Sequence, residues 1–361
     1  MTDIVRSPLA DYHASQRTTL GTYHGAWVPC RFSDPRAEHQ AVRNASGLLD
    51  LSFRACFSMK GKDAVKFLHR MLSNDVLSLA PGQGTYAALL TAHGHIVADL
   101  RVFRAEADLW VETDADLRPK LMASLRRYII GDKVEIEPLE IYSVGFEGPQ
   151  ARRLLEKALH VELPTLDDYG HFAANYAGFP VRVARASNTG EEGYQVWVGA
   201  KGMMGVWGGA CGQAPTYGTL PCGTEALETL RIEAGIPRYG SELGEDTLPQ
   251  EARLLHALSF TKGCYVGQEI VERTRSRGHV NWILSGLFVD SAEAPSSGSR
   301  FIAAGQPAGE VTSACMSPTL GRTLALAYLR REFAEPGTVL ALESGESAEV
   351  TSLPFYRRQA S

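Results

Sequence analysis

Apolar and polar positions follow two rhythms along this chain, one helical and one alternating. Asp34-Pro35 supplies an N-cap acceptor and then a proline at the first helical position, so a helix is expected from there to about Ser46, where Gly47 stops it. A strand follows at 55–59. Ala64, Phe67, Leu68 and Met71 recur at helical spacing, which predicts a second helix from about Asp63 to Leu72 with those side chains in a core. Residues 85–90 and 96–103 read as a hairpin joined by Ala92-His93-Gly94, a turn that presents His93 and His95 to solvent. On its second strand Ile96, Ala98, Leu100 and Val102 share one face, and Asp99 stands on the other with Arg101.

The same reading continues down the chain. A strand at 109–113 is followed by a helix capped by Asp114 and ending near Gly131. Strand, helix, hairpin and helix in this order suggest a ferredoxin-like α+β unit. Further strands are expected at 141–146, 181–184 and 194–198. Helices are expected from Gly148-Pro149 through Leu159 and over 220–233. Residues 1–32 read as a mostly irregular lead-in. From Trp282 to Phe355 the pattern changes to short β-runs broken by Gly, Pro and Ser, among them 283–289, 309–312, 323–329 and 338–342. That rhythm suggests a small all-β barrel or sandwich. The domains implied are residues 1–280, with inner boundaries near 50–140 and 141–280, and then 281–361.

Composition narrows the function classes. A length of 361 residues exceeds one ordinary core. The net charge of -5 argues against a broad nucleic-acid surface. The N-terminus has no secretory pattern, and no uncharged apolar run approaches the ~18 residues of a membrane helix, so the cytoplasm is the expected location. Six cysteines are scattered with no C-x-x-C pair, which argues against structural zinc, a disulfide framework or an iron–sulfur cluster held by this chain alone. No metal is expected on the isolated chain. There is no G-x-x-x-x-G-K-[ST] loop and no G-x-S-x-G elbow, and Gly205, Gly208, Gly209 and Gly212 do not sit between a strand and a helix start.

The stretch least like generic fold-building sequence is Lys262-Gly263-Cys264-Tyr265-Val266-Gly267-Gln268-Glu269. Lys262 precedes the thiol, and Arg273, Arg275 and Arg277 follow it. Cationic neighbours favour a thiolate. A glycine-rich turn around an inert cysteine is the equally open structural reading.

Four other stretches carry a resemblance over nearly the whole chain. They are Tyr23-His24-Gly25-Ala26-Trp27 with residues 38–51, the hairpin within 74–99, Thr189-Gly190-Glu191-Glu192-Gly193-Tyr194 with Leu230-Arg231-Ile232-Glu233-Ala234-Gly235, and Gly309-Glu310-Val311-Thr312-Ser313 with Ser317-Pro318-Thr319-Leu320-Gly321. In these the chain resembles the glycine-cleavage T-protein (aminomethyltransferase) superfamily. The implied fold is α+β: ferredoxin-like subdomains in a ring, plus a C-terminal β-barrel. The octet is similar to the K-G-C-Y-x-G-Q-E signature of the YgfZ branch, whose folate-binding members support iron–sulfur cluster assembly or repair.

The YgfZ resemblance implies that Cys264 acts with Lys262. Gly263, Tyr265, Gly267, Gln268, Glu269 and Arg273 then form the signature loop. The resemblance also implies tetrahydrofolate or a derivative as cofactor, with Tyr86, Asp99, Tyr194 and Gln195 as contacts. Iron–sulfur proteins or their assembly factors are the implied transient partners of a monomer that engages neither membrane nor nucleic acid. Against T-proteins, the aspartate pair at the hairpin reads Ala98-Asp99, which puts alanine where the reacting carboxylate is expected. The pteridine-binding glutamate is Gln195, and an expected arginine is Leu227. Two alternatives stay open: a folate-dependent methyl or aminomethyl transferase, which needs an acid or base at the folate nitrogen, and a protein scaffold without small-molecule chemistry.

Overall fold

A computed structural model describes residues 4–303 and 305–358. Within them the chain divides into two compact units. The first takes in the chain through Leu89, Ala98–Leu227 and Thr261–Tyr265. The second takes in Leu90–Val97, Glu228–Phe260 and the chain from Val266 onward. The octet therefore straddles the division after Tyr265.

Three sheets build the first unit. One has the strand order Gly84–Leu90, Ile96–Arg104, Leu109–Asp114, Arg54–Lys60, Glu135–Pro138, with the hairpin tip assigned to the second unit. A six-stranded sheet runs His171–Tyr176, Phe179–Arg185, Gly193–Gly199, Ile141–Glu147, Ser46–Asp50, Thr219–Cys222. Its last pairing, Thr219–Cys222 with Ser46–Asp50, is parallel, which the long connection between these strands permits. Helices Ala151–Leu159 and Ala200–Gln213 cover one face and bury Leu154, Leu155, Met203, Val206 and Trp207 with Val183 and Val196. Helix Pro35–Asn44 starts as its sequence signal says, with Asp34 Oδ1 accepting the Arg36 N–H at 3.1 Å.

Residues 5–31 are not irregular. They contain helix Ala10–Ser15 and a small sheet of Val5–Arg6, Ala26–Arg31 and Thr19–Tyr23, the last two closed by a turn at His24 and Gly25. The turn is sharp because both residues adopt positive φ, +42° and +77°. At Gly25 an added Cβ would lie 2.7 Å from the backbone nitrogen of Asp116, so only glycine fits.

In the second unit, Trp282–Val289, Arg322–Arg330, Gln306–Ser317, Arg300–Ala303, Val339–Leu342 and Ser347–Thr351 close a six-stranded barrel in that order. Leu287, Phe301, Val311, Ala327, Leu329 and Val350 fill it. Helix Thr224–Glu233, shorter at its start than expected, reaches this unit through a buried ion pair: Arg231 donates to Glu242 at 3.0 Å and to Ser313 Oγ at 2.7 Å.

Two expectations fail for physical reasons. Asp114 does not cap the next helix. It ends a strand, is buried, and its Oδ1 takes Arg54 at 2.6 Å, while helix Arg118–Arg126 begins after Leu117 without a side-chain cap. Glycine and charge masked two helices, Ala200–Gln213 with its five glycines and Gln268–Arg277 with five charged residues. Among the described residues no helix is long and apolar enough to cross a membrane.

Candidate functional site

The alternation of strand Ile96–Arg104 decides what faces the polar interior of the first unit. Ala98 is fully buried in line with Ile96, Leu100 and Val102. Asp99 is half-buried on the opposite face, where the Tyr86 hydroxyl donates to its Oδ2 at 3.1 Å. The carboxylate on the Tyr86 face of the hairpin is therefore Asp99, while Ala98 lies on the buried apolar face. Burial, followed by the charge of Asp99, holds the Tyr86 phenol well above its usual pKa, so it remains a donor.

Arg101, two residues along the same face, anchors a network that the sequence reading did not foresee. Its guanidinium donates to Glu112 at 3.2 Å, Gln195 Oε1 at 3.3 Å, the Ser187 carbonyl at 2.9 Å and Asn188 Oδ1 at 3.0 Å. Glu112 is wholly buried. It also accepts from Arg54 at 3.2 Å, Trp197 Nε1 at 3.2 Å and Gln195 Nε2. Burial works against the Arg54 charge, but Glu112, Asp114 and Asp99 outweigh it and hold the guanidinium firmly protonated. A buried carboxylate needs such partners; removing one from a buried pair costs about 3–5 kcal/mol. Register could have revealed it, because Arg101 and Glu112 lie directly opposite on adjacent antiparallel strands.

Gln195 is part of this network and not an open contact. It is wholly buried, and its Nε2 also donates to Ser143 Oγ at 2.9 Å. Tyr194 points to the other face of its strand, into the Trp207 core, with its hydroxyl donating to Glu192 at 2.7 Å. Leu227 is fully buried. Asp99, Tyr86 and Tyr169 are all half-buried. The rings of Tyr86 and Tyr169 are nearly parallel, 17° apart with centroids at 6.5 Å. Two aromatic rings, a carboxylate and a phenol therefore gather at the hairpin from two strands and a loop, groups of the kind that bind flat heterocycles bearing nitrogen.

The octet is built differently. The Lys262 ammonium does not simply lie beside a thiol; it donates to the carbonyls of His69, Leu72 at 2.5 Å and Asn74 at 3.1 Å, at the end of helix Ala64–Met71. A cation there complements the helix dipole. Burial brings the Lys262 pKa down to about 8, with Asp75 opposing the shift. The Tyr265 ring is buried, 4.9 Å from the Lys262 Nζ. Cys264 between them is exposed. An added Cβ at Gly263 would meet nothing within 4 Å.

Gly267, by contrast, has φ +83°, and a Cβ there would lie 2.6 Å from the Thr91 carbonyl, so its role is steric. Gln268 and Glu269 open helix Gln268–Arg277, where an acid in the first turn is favourable. Arg273 is exposed on that helix, and Arg275 lies over the Phe260 ring at 4.5 Å. The Arg277 side chain falls outside the described residues.

Residues 9–262 match the family model described as the GCVT N-terminal domain, and residues 284–357 match the glycine cleavage T-protein C-terminal barrel domain. The chain belongs to the glycine cleavage T-protein family. An aminomethyltransferase of Streptomyces coelicolor is 34% identical over 370 residues, covering 99% of each chain. One of Bacillus subtilis is 30% identical over 360 residues, 98% of this chain and 99% of that one. The crystal structure of the glycine cleavage system aminomethyltransferase T from Bartonella henselae matches this T-protein fold with a TM-score of 0.91 over 98% of both chains, at 24% identity.

Proposed function

We propose that this T-protein-family chain is a folate-dependent transferase of the aminomethyl type, working at the Tyr86–Asp99–Tyr169 face. The observation that carries the reading is the placement of Asp99, whose carboxylate meets the Tyr86 hydroxyl on the polar face. Tetrahydrofolate, when bound, supplies the nitrogen nucleophile that receives the one-carbon unit. Tyr86 and Tyr169 bind its flat ring between or beside their faces. The Asp99 carboxylate would serve as the group that accepts or returns a proton at the folate nitrogen. Tyr86 keeps that carboxylate aligned. Arg101, Glu112 and Gln195 fix the floor on which the strand rests. The relatives named aminomethyltransferase over nearly the full chain support this reading. Turnover of an amine-bearing one-carbon donor with tetrahydrofolate tests it. Loss in Asp99→Asn, with retention in Cys264→Ala, is the expected pattern.

A second reading rests on one observation, the exposed Cys264 inside an octet similar to the YgfZ signature. Under it the chain supports iron–sulfur cluster assembly or repair through that thiol, with iron–sulfur proteins as transient partners. Its test is rescue of iron–sulfur enzyme activity, in a host lacking its own factor, by the native chain and by Cys264→Ala. Equal rescue by both removes the thiol from the account.

A further inference from the structure

At the end of the central strand of the five-stranded sheet, beside Arg54 of the network described above, three ligand-type side chains converge from two segments of the chain. His24 sits in the positive-φ turn after Thr19–Tyr23, Asp114 ends strand Leu109–Asp114, and Asp116 follows two residues later. His24 Nδ1 lies 3.3 Å from Asp114 Oδ2 and 3.8 Å from Asp116 Oδ2, and one ligand atom from each of the three residues falls within 4.8 Å of the others. In a tetrahedral site with ligands at about 2.0–2.2 Å from the ion, donor atoms stand roughly 3.3–3.6 Å apart. A contraction of about 1.2–1.5 Å at most brings this set to that spacing.

We propose that His24, Asp114 and Asp116 form a binding site for a divalent transition-metal ion of the zinc class. Several features support a built site. Arg54 occupies Asp114 Oδ1 at 2.6 Å, which orients the carboxylate and leaves Oδ2 toward His24, as a second partner does for a metal-binding carboxylate. The close fit of Gly25 against the Asp116 backbone fixes the His24 turn over the two acids. The graded exposure, 19% for His24, 3% for Asp114 and 42% for Asp116, gives the site a buried base and an open mouth for ion and water. One imidazole with two carboxylates favours zinc, cobalt or manganese over magnesium or calcium, which prefer all-oxygen sets.

The test titrates the full chain with Zn(II) and Co(II), and with Mg(II) for comparison, in a Cys264→Ser background so that the exposed thiol does not compete. Bound metal is measured by equilibrium dialysis, and Co(II) also by its visible absorption. One equivalent of Zn(II), weakened at least tenfold by His24→Asn and by Asp116→Asn, is the expected result. The second variant alters an exposed side chain and keeps the fold. Absence of binding in the native site, binding undiminished in both variants, or Mg(II) binding as tight as Zn(II) each overturns the proposal.

Discussion

The hairpin face and the octet both drew attention in the sequence, yet they place their polar groups in opposite ways. At the hairpin, Asp99 and Tyr86 stand at the edge of a network in which Arg101, Arg54, Glu112 and Gln195 satisfy one another in the interior. At the octet, the groups with the strongest geometry serve the fold: Lys262 closes a helix end and Gly267 admits a carbonyl. Cys264 faces solvent, as Gly263 and Glu269 do, without a surrounding network of comparable depth. A supported carboxylate on a rigid strand is pre-organised for chemistry, whereas an exposed thiol in a loop is available but not positioned.

Four changes would break or sharpen that contrast. The largest stability effect is expected from Glu112→Ala, which strands Arg54 and Arg101; a loss of about 3–5 kcal/mol in denaturant unfolding is predicted. A loss below ~1 kcal/mol would mean that the network does not support the hairpin. Gly267→Ala forces a side chain onto the Thr91 carbonyl at positive φ, and should cost about 1–3 kcal/mol in the same measurement. Full stability in this variant would return Gly267 to the list of residues kept for chemistry.

The third change concerns acid. His171 is buried and accepts from Arg182 at 2.7 Å; burial, then the Arg182 charge, lowers its pKa to about 4. The unfolded chain binds that proton below about pH 6.5 while the folded chain refuses it until about pH 4. Stability present above pH 6.5 is therefore lost as pH falls through that window, by on the order of 1–2 kcal/mol. Melting curves between pH 7 and pH 4 should show the loss, and His171→Asn should flatten it; an unchanged slope in the variant contradicts the assignment. The smallest effect is expected at Cys264→Ala, within about 0.5 kcal/mol of the native stability, because the side chain is exposed. A cost above ~1 kcal/mol would reveal packing at the thiol.

Much of this was legible before any coordinates. Helical spacing located the helix that became Ala64–Met71, Asp34-Pro35 marked the start of Pro35–Asn44, and the two-residue period put Asp99 and Ala98 on opposite faces. Short broken β-runs announced the barrel, although strands Arg300–Ala303 and Ser347–Thr351 went unassigned, the first only four residues long and the second mostly small and polar. What stayed hidden was partnership across the chain. Nothing local in Glu112 says that Arg54, Arg101, Gln195 and Trp197 will surround it, and nothing local in Lys262 points to carbonyls some 190 residues earlier. Ala98 and Asp99 show the same limit: alternation told their faces apart, but nothing local said that Tyr86 would bond Asp99.

The central claim is that chemistry resides at Asp99 and not at Cys264. The most direct measurement is one-carbon transfer from an amine-bearing donor to tetrahydrofolate by the native chain, Asp99→Asn and Cys264→Ala, assayed side by side. Loss of a positioned acid or base should lower the Asp99→Asn rate by about 10²–10⁴-fold, with Cys264→Ala within a factor of ~2 of native. Transfer that survives Asp99→Asn and disappears in Cys264→Ala would contradict the account.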